Sequence, residues 1–159
     1  MLDAGVITNY ALFGAIAQMR YTAPVATIDA DVLIAVPSPH RLDLLAPIYR
    51  YCRERGFESE GETIRVGAWP VQFVPTFNPL TTEALERADV ADFEGTPLRV
   101  VSADYLTVIA LRTGCAKDFA RILALLEPTH VAREQIAPLA GRFGLEPAWT
   151  RFEERFLRG

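Results

Sequence analysis

The sequence predicts an α+β protein, with a mixed sheet flanked by helices over residues 1–101 and a helical part packed on that core over residues 102–159. Three observations carry this. Short apolar runs bounded by glycine and proline recur up to Val101, as half-buried strands do. One of them, Thr27–Val36, opens with two carboxylates one residue apart, Asp29 and Asp31. Beyond Val101 the apolar residues return only at three- and four-residue spacings, the period of amphipathic helices.

Tyr10–Phe13 reads as a strand stopped by Gly14, and Ala15–Tyr21 as a helix that Pro24 brings to an end. The Asp29/Asp31 strand follows and ends at Pro37-Ser38-Pro39. His40–Arg55 carries Leu42, Leu45, Ile48, Tyr49 and Cys52 on one helical stripe, with Gly56 as C-cap and Pro47 disturbing the first turn. Thr63–Val66 and Val71–Val74 read as two strands around Gly67-Ala68, with Pro70 at a strand start or on an edge. Pro79–Ala88 is a short helix with Asn78 as N-cap. Val90–Phe93 and Leu98–Val101 flank a turn at Glu94–Pro97. Ser102 is expected to cap a helix over Asp104–Thr113 that Gly114 ends. Lys117–Glu127 forms the next helix, up to Pro128, and two more are marked by Ile136, Leu139 and Phe143 and by Trp149, Phe152 and Phe156.

At 159 residues, half of them hydrophobic, the chain is long enough for one compact core. Its net charge of −4 argues against a protein whose whole surface binds nucleic acid, and leaves room for a local basic cleft. Cys52 and Cys115 have no ligand-like spacing, so neither a disulfide framework nor a zinc site is expected, and the cytoplasm is the expected compartment. No apolar run is long enough to span a bilayer, so no membrane partner is expected. The single lysine among 16 basic residues is Lys117.

Strand alternation puts Asp29 and Asp31 on one face, roughly 7 Å apart at their Cα atoms. Two carboxylates at the head of an apolar run suit a hard divalent cation such as Mg²⁺. Taken alone, they read equally as strand-end acids facing solvent or Arg20. Lys117 and Asp118 likewise read as phosphate-facing residues or as a helix start on a solvated face. His40 and His130 read as capping or surface residues. Arg50, Arg53 and Arg55 read as a solvated face.

Gly14-Ala15, a helix, then Asp29-x-Asp31 at a strand start resembles the nucleotidyltransferase superfamily of DNA polymerase β-like fold. With Val100–Leu106 and Lys117-Asp118-Phe119-Ala120-Arg121-Ile122, the chain is similar in particular to small bacterial AbiEii-type toxin nucleotidyltransferases. The resemblance spans about residues 10–127. It implies a nucleoside triphosphate as substrate or ligand, Mg²⁺ on Asp29 and Asp31, a phosphate turn at Gly14 and Ala15, and Lys117 as charge compensation, with Asp118 orienting the lysine or capping the helix. It also implies an RNA or protein acceptor and an antitoxin protein partner. Two positions depart from the superfamily pattern. Ala15 stands where a serine or second glycine is usual, and Gln72 where a third carboxylate is usual; an amide can offer oxygen to a metal but cannot act as a base. The alternative reading is therefore a nucleotide-binding or regulatory module without transfer activity.

Overall fold

A computed structural model describes residues 1–38, 43–127 and 131–158. His40, His130, Leu42 and the prolines at 39 and 128 lie outside the described residues. The expected α+β class holds. A seven-stranded mixed sheet has the order β3-β4-β5-β2-β1-β7-β6. In chain order its strands are β1 (Asn9–Phe13), β2 (Ala30–Ala35), β3 (Glu58–Glu60), β4 (Thr63–Val66), β5 (Trp69–Pro75), β6 (Asp89–Phe93) and β7 (Thr96–Val100). The helices are α1 (Gly14–Gln18), α2 (Ala46–Arg53), α3 (Pro79–Glu86), α4 (Ala103–Thr113), α5 (Ala116–Leu126), α6 (Arg133–Arg142) and α7 (Glu146–Phe156).

β1 and β2 run antiparallel, while β2–β5 and β1–β7 run parallel. The two outer hairpins, β4–β5 extended by β3 and β6–β7, are antiparallel. Both faces of the central strands are apolar in alternation. Leu33 joins the larger core with Ala11, Leu80, Leu106 and Trp149, and Ile34 joins a smaller one with Ile7, Ile48 and Ile64. The larger core runs from the sheet through α3 and α4 into α5, α6 and α7. Phe119, Phe152 and Phe156 close its far end, with ring centroids 5.0–5.8 Å apart. Among the described residues no helix is long and apolar enough to cross a membrane.

Two local expectations need correction, and one strand was not anticipated. α2 begins at Ala46 with Pro47 in its first turn, where a missing N–H costs nothing, so the proline starts the helix that was expected to reach back to His40. Ser102 is the N-cap of α4, but its hydroxyl bonds the Asp104 carboxylate and caps no backbone amide. Glu58–Glu60 forms an exposed strand with no apolar alternation to announce it, held by backbone pairing to β4.

Glu83 fastens α3 to the later helices. It accepts the Tyr105 hydroxyl of α4, and both of its carboxylate oxygens accept Arg142 Nη2 of α6 at 2.7 Å, while Arg87 lies 3.2 Å away. The Tyr105 and Arg142 bonds hold the Glu83 carboxyl below its ordinary value. Burial, then the bond to Glu83, pushes the Tyr105 hydroxyl up to about 12. Glu83→Ala is expected to cost about 1–2 kcal/mol, read as a fall of several degrees in Tm. Because the folded-state value is depressed, the carboxylate's contribution is complete above its ordinary 4.5 and lost as pH falls through the lowered value. Melting curves from pH 7 to pH 3 check both statements. The difference between parent and Glu83→Ala should narrow in acid.

Candidate nucleotide site

The site is built on the turn between β1 and α1. Phe13 is extended, and Gly14 then takes a φ of +61° to begin the helix. Phe13 is the register partner of Asp31 across the β1–β2 ladder, so the Asp31 side chain arrives beside the next residue, Gly14. A Cβ on Gly14 would lie 2.2 Å from Asp31 Oδ2. The carboxylate therefore occupies the space that any other side chain at position 14 would need, and both the positive φ and the close approach demand glycine.

β2 begins at Ala30, so Asp29 stands just before the strand. The Thr27 hydroxyl fixes it, donating to the Asp29 carbonyl at 2.9 Å and its carboxylate at 3.3 Å. Burial, and secondly the charge of Asp29, pushes the Asp31 carboxyl above its ordinary value, while Arg121 and Lys117 pull it the other way. Those two cations come from α5. They lie four residues apart and therefore on one side of that helix. Lys117 is exposed and forms no ion pair among the described residues.

Asp118 is buried and serves α5 itself. Its Oδ2 accepts the Cys115 N–H at 3.4 Å, the N3 side-chain half of a capping box, and also accepts the Cys115 thiol at 2.8 Å. Its other oxygen receives Arg121 at 3.4 Å. Arg121 Nε also donates to Oε1 of Gln18 at 3.0 Å, and Gln18 is 4% exposed on α1. Arg121 thus ties the helix that follows Gly14 to the helix that carries Lys117. Neither Arg121 nor Gln18 stood out in the sequence. The four-residue step from Lys117 was the available signal for the first. The second depends on a contact across 103 residues.

Gln72 on β5 is the register partner of Asp31 and so presents its amide on the same face. Its Nε2 donates to Glu62 at 3.5 Å, the long limit of a hydrogen bond. Ala15 sits in the first turn of α1 and offers only backbone. Among the described residues no group of three or more His, Cys, Asp or Glu is placed to hold a metal. Around Asp31, which lies against Gly14, the oxygen donors are two carboxylates, its own and that of Asp29, and the amide of its register partner Gln72. That set fits Mg²⁺, which uses one or two carboxylates and completes its shell with water and substrate phosphate oxygens.

No protein-family model matches the chain, and no curated protein matches it closely enough to count as a relative. Solved structures do. The chain is similar to an antigenic nucleotidyltransferase-like protein from Paracoccidioides brasiliensis, at 15% identity and a TM-score of 0.58, with 98% of this chain and 83% of that one covered. It also aligns with ANT(2")-Ia in complex with adenylyl-2"-tobramycin, at 14% identity over 98% and 92% of the two chains, but with a TM-score of 0.44 that bears no weight. An identity of 15% speaks to fold alone. On that ground the chain has a nucleotidyltransferase-like fold.

Proposed function

We propose that this chain binds a nucleoside triphosphate with Mg²⁺ over the Gly14 turn and transfers its nucleotidyl group to a hydroxyl of an RNA or protein acceptor. The observation that carries this reading is the Asp31 carboxylate seated where a Gly14 Cβ would be, which sets a carboxylate beside bare backbone. Asp29 and Asp31 would hold the cation, with Gln72 as a neutral oxygen donor. When bound, the cation would neutralise phosphate oxygens and draw electron density from phosphorus. Lys117 and Arg121 bring positive charge to the same place, Lys117 as a mobile point charge and Arg121 as a guanidinium anchored by Gln18 and Asp118.

In the transfer, the acceptor oxygen bonds to the α-phosphorus as the bond from that phosphorus to the bridging oxygen breaks, and pyrophosphate leaves. The hydroxyl proton must go elsewhere. The Gln72 amide has no basic site at neutral pH, so in this chain the proton passes to water and turnover is slow. Gln72 also favours a second reading, in which the site binds nucleotide without transferring it.

Calorimetry with Mg-ATP tests the binding, and incubation with labelled nucleoside triphosphates and total tRNA tests the transfer. The expected results are micromolar to millimolar binding, its loss in Asp29→Ala and Asp31→Ala, and a slow transfer that Gln72→Asp accelerates about 10²-fold or more. Absence of binding in the parent would end both readings. Binding without turnover in parent and Gln72→Asp alike would leave the second. The finer likeness to AbiEii-type toxins belongs to this proposal, supported by the Lys117-Asp118 stretch opening α5. Its check is growth arrest on expression in a bacterial host, relieved by Asp31→Ala and by a co-expressed antitoxin.

A further inference from the structure

The β6–β7 hairpin forms one edge of the sheet, and no strand among the described residues pairs with the outer side of β6. Alternate backbone N–H and C=O groups of Asp89–Phe93 therefore face outward. Val90 and Phe93 are each 64% exposed. Strand alternation sends them to opposite faces of the sheet. On the Phe93 face, Leu12, Ile16, Met19, Ala91 and Leu98 line a mostly apolar cleft of about 500 Å³. This is the face opposite Asp31, because Leu12 pairs with Val32 and Phe13 with Asp31. The smaller core, with α2, covers that face at Ile34 and Ile64 and stops short of β7 and β6.

An occupant that covers Val90 and Phe93 together must run along the edge, since a helix laid in the cleft would reach only the Phe93 side. An added strand does this, with alternate side chains beside Val90 on one face and beside Ala91 and Phe93 on the other. Charge decides which strand. From Ala88 to Leu98 the hairpin carries Asp89, Asp92 and Glu94 and no basic residue. Asp89 already meets Arg20 at 3.8 Å and the Tyr21 hydroxyl at 3.2 Å, while Asp92 receives the Gly95 N–H at 3.1 Å and Glu94 forms no ion pair among the described residues. A second copy of this chain paired β6 to β6 would line one seam with the carboxylates of both hairpins, a repulsive arrangement. A lysine- or arginine-bearing strand would meet them favourably.

We propose that β6 is a docking edge for an extended segment of a partner protein that alternates apolar and basic residues, added to the sheet as an eighth strand. The edge lies away from the Asp29/Asp31 pair, and the proposal stands whether or not that pair binds nucleotide.

Titration of the full chain with a short synthetic peptide alternating valine and lysine, and with its valine–glutamate counterpart, tests it. The basic peptide is expected to bind about tenfold or more tighter than the acidic one. Phe93→Ser, which leaves the charge unchanged, should weaken it about tenfold, and Asp92→Asn with Glu94→Gln should remove its preference over the acidic peptide. All three side chains point to solvent, so a melting curve near that of the parent confirms that the variants fold. Equal binding of the two peptides, or binding unchanged by Phe93→Ser, overturns the proposal. So does a concentration-dependent dimer of the chain that Phe93→Ser dissolves, which would identify a second copy as the occupant. Adsorption to phosphatidylcholine vesicles that Phe93→Ser abolishes, with no peptide binding, would overturn it in favour of a lipid surface.

Discussion

Gly14→Ala is expected to leave a folded protein that no longer binds Mg-ATP well. Two effects act at this position. A φ of +61° costs an L-residue about 1–2 kcal/mol by crowding Cβ against the carbonyl. The new Cβ would also meet Asp31 at three atoms, Oδ2 at 2.2 Å, Cγ at 3.1 Å and Cβ at 3.2 Å. Turning the carboxylate alone cannot relieve all three contacts, and β2 is clamped between β1 and β5. The backbone at Gly14 must shift as well. We expect a total loss of about 2–3 kcal/mol in urea unfolding and an affinity for Mg-ATP lower by about 10–100-fold. Gly114→Ala separates the two effects. Gly114 also has a positive φ, +67°, but its Cβ would meet nothing closer than the Leu111 carbonyl at 3.6 Å. That variant should lose stability by the backbone cost and keep its affinity. Should Gly14→Ala bind Mg-ATP as the parent does, the site does not lie where Asp31 meets the turn.

The turn was legible because its signal is local. A glycine after an apolar run and two carboxylates one residue apart at the head of another each stand out within a few positions, and the β1–β2 register brings Asp31 against Gly14, while Asp29, read as part of the strand, stands just before it. The same holds for Asn78, whose side chain accepts the Thr81 N–H at 3.0 Å as the N-cap of α3. What escaped depends on distance in sequence or on the absence of pattern. Arg121 looks like any basic residue on an amphipathic helix until Gln18 and Asp118 are seen to grip it. Asp118 was open to two roles, and the capping box with Cys115 accounts for one oxygen while Arg121 takes the other. β3 could not be read at all, since Glu58, Ser59 and Glu60 bury nothing. That Lys117 and Asp31 belong to one site was an expectation from family resemblance alone; the structure gives Lys117 a small charge effect on Asp31, and no local spacing would have suggested it.

Asp31→Asn should produce opposite shifts in stability with and without ligand. With no cation beside it, Asp31 is an unfavourable charge, raised in pKa first by burial and then by Asp29, with Arg121 and Lys117 only partly compensating. The sign follows from linkage. A carboxyl whose folded-state value lies above its unfolded one binds its proton more tightly when folded, so stability falls as pH rises from the ordinary 3.8 through the raised value and stays low at neutral pH. Asparagine keeps the shape and removes the charge. At pH 7 without ligand we expect Asp31→Asn to be more stable than the parent by about 0.5–2 kcal/mol, a gain of a few degrees in Tm. The gain should shrink as the pH falls through the raised value, where the parent's own carboxyl takes up a proton. With Mg-ATP at about 100 times its Kd, the parent should gain about 2.7 kcal/mol and Asp31→Asn nothing, so the order of melting inverts. A carboxylate retained at a cost to the empty protein, and repaid only when a cation arrives, is what separates a binding group from a strand-end acid. If Asp31→Asn melts below the parent in both conditions, or gains as much from Mg-ATP, Asp31 belongs to the scaffold and not to the site.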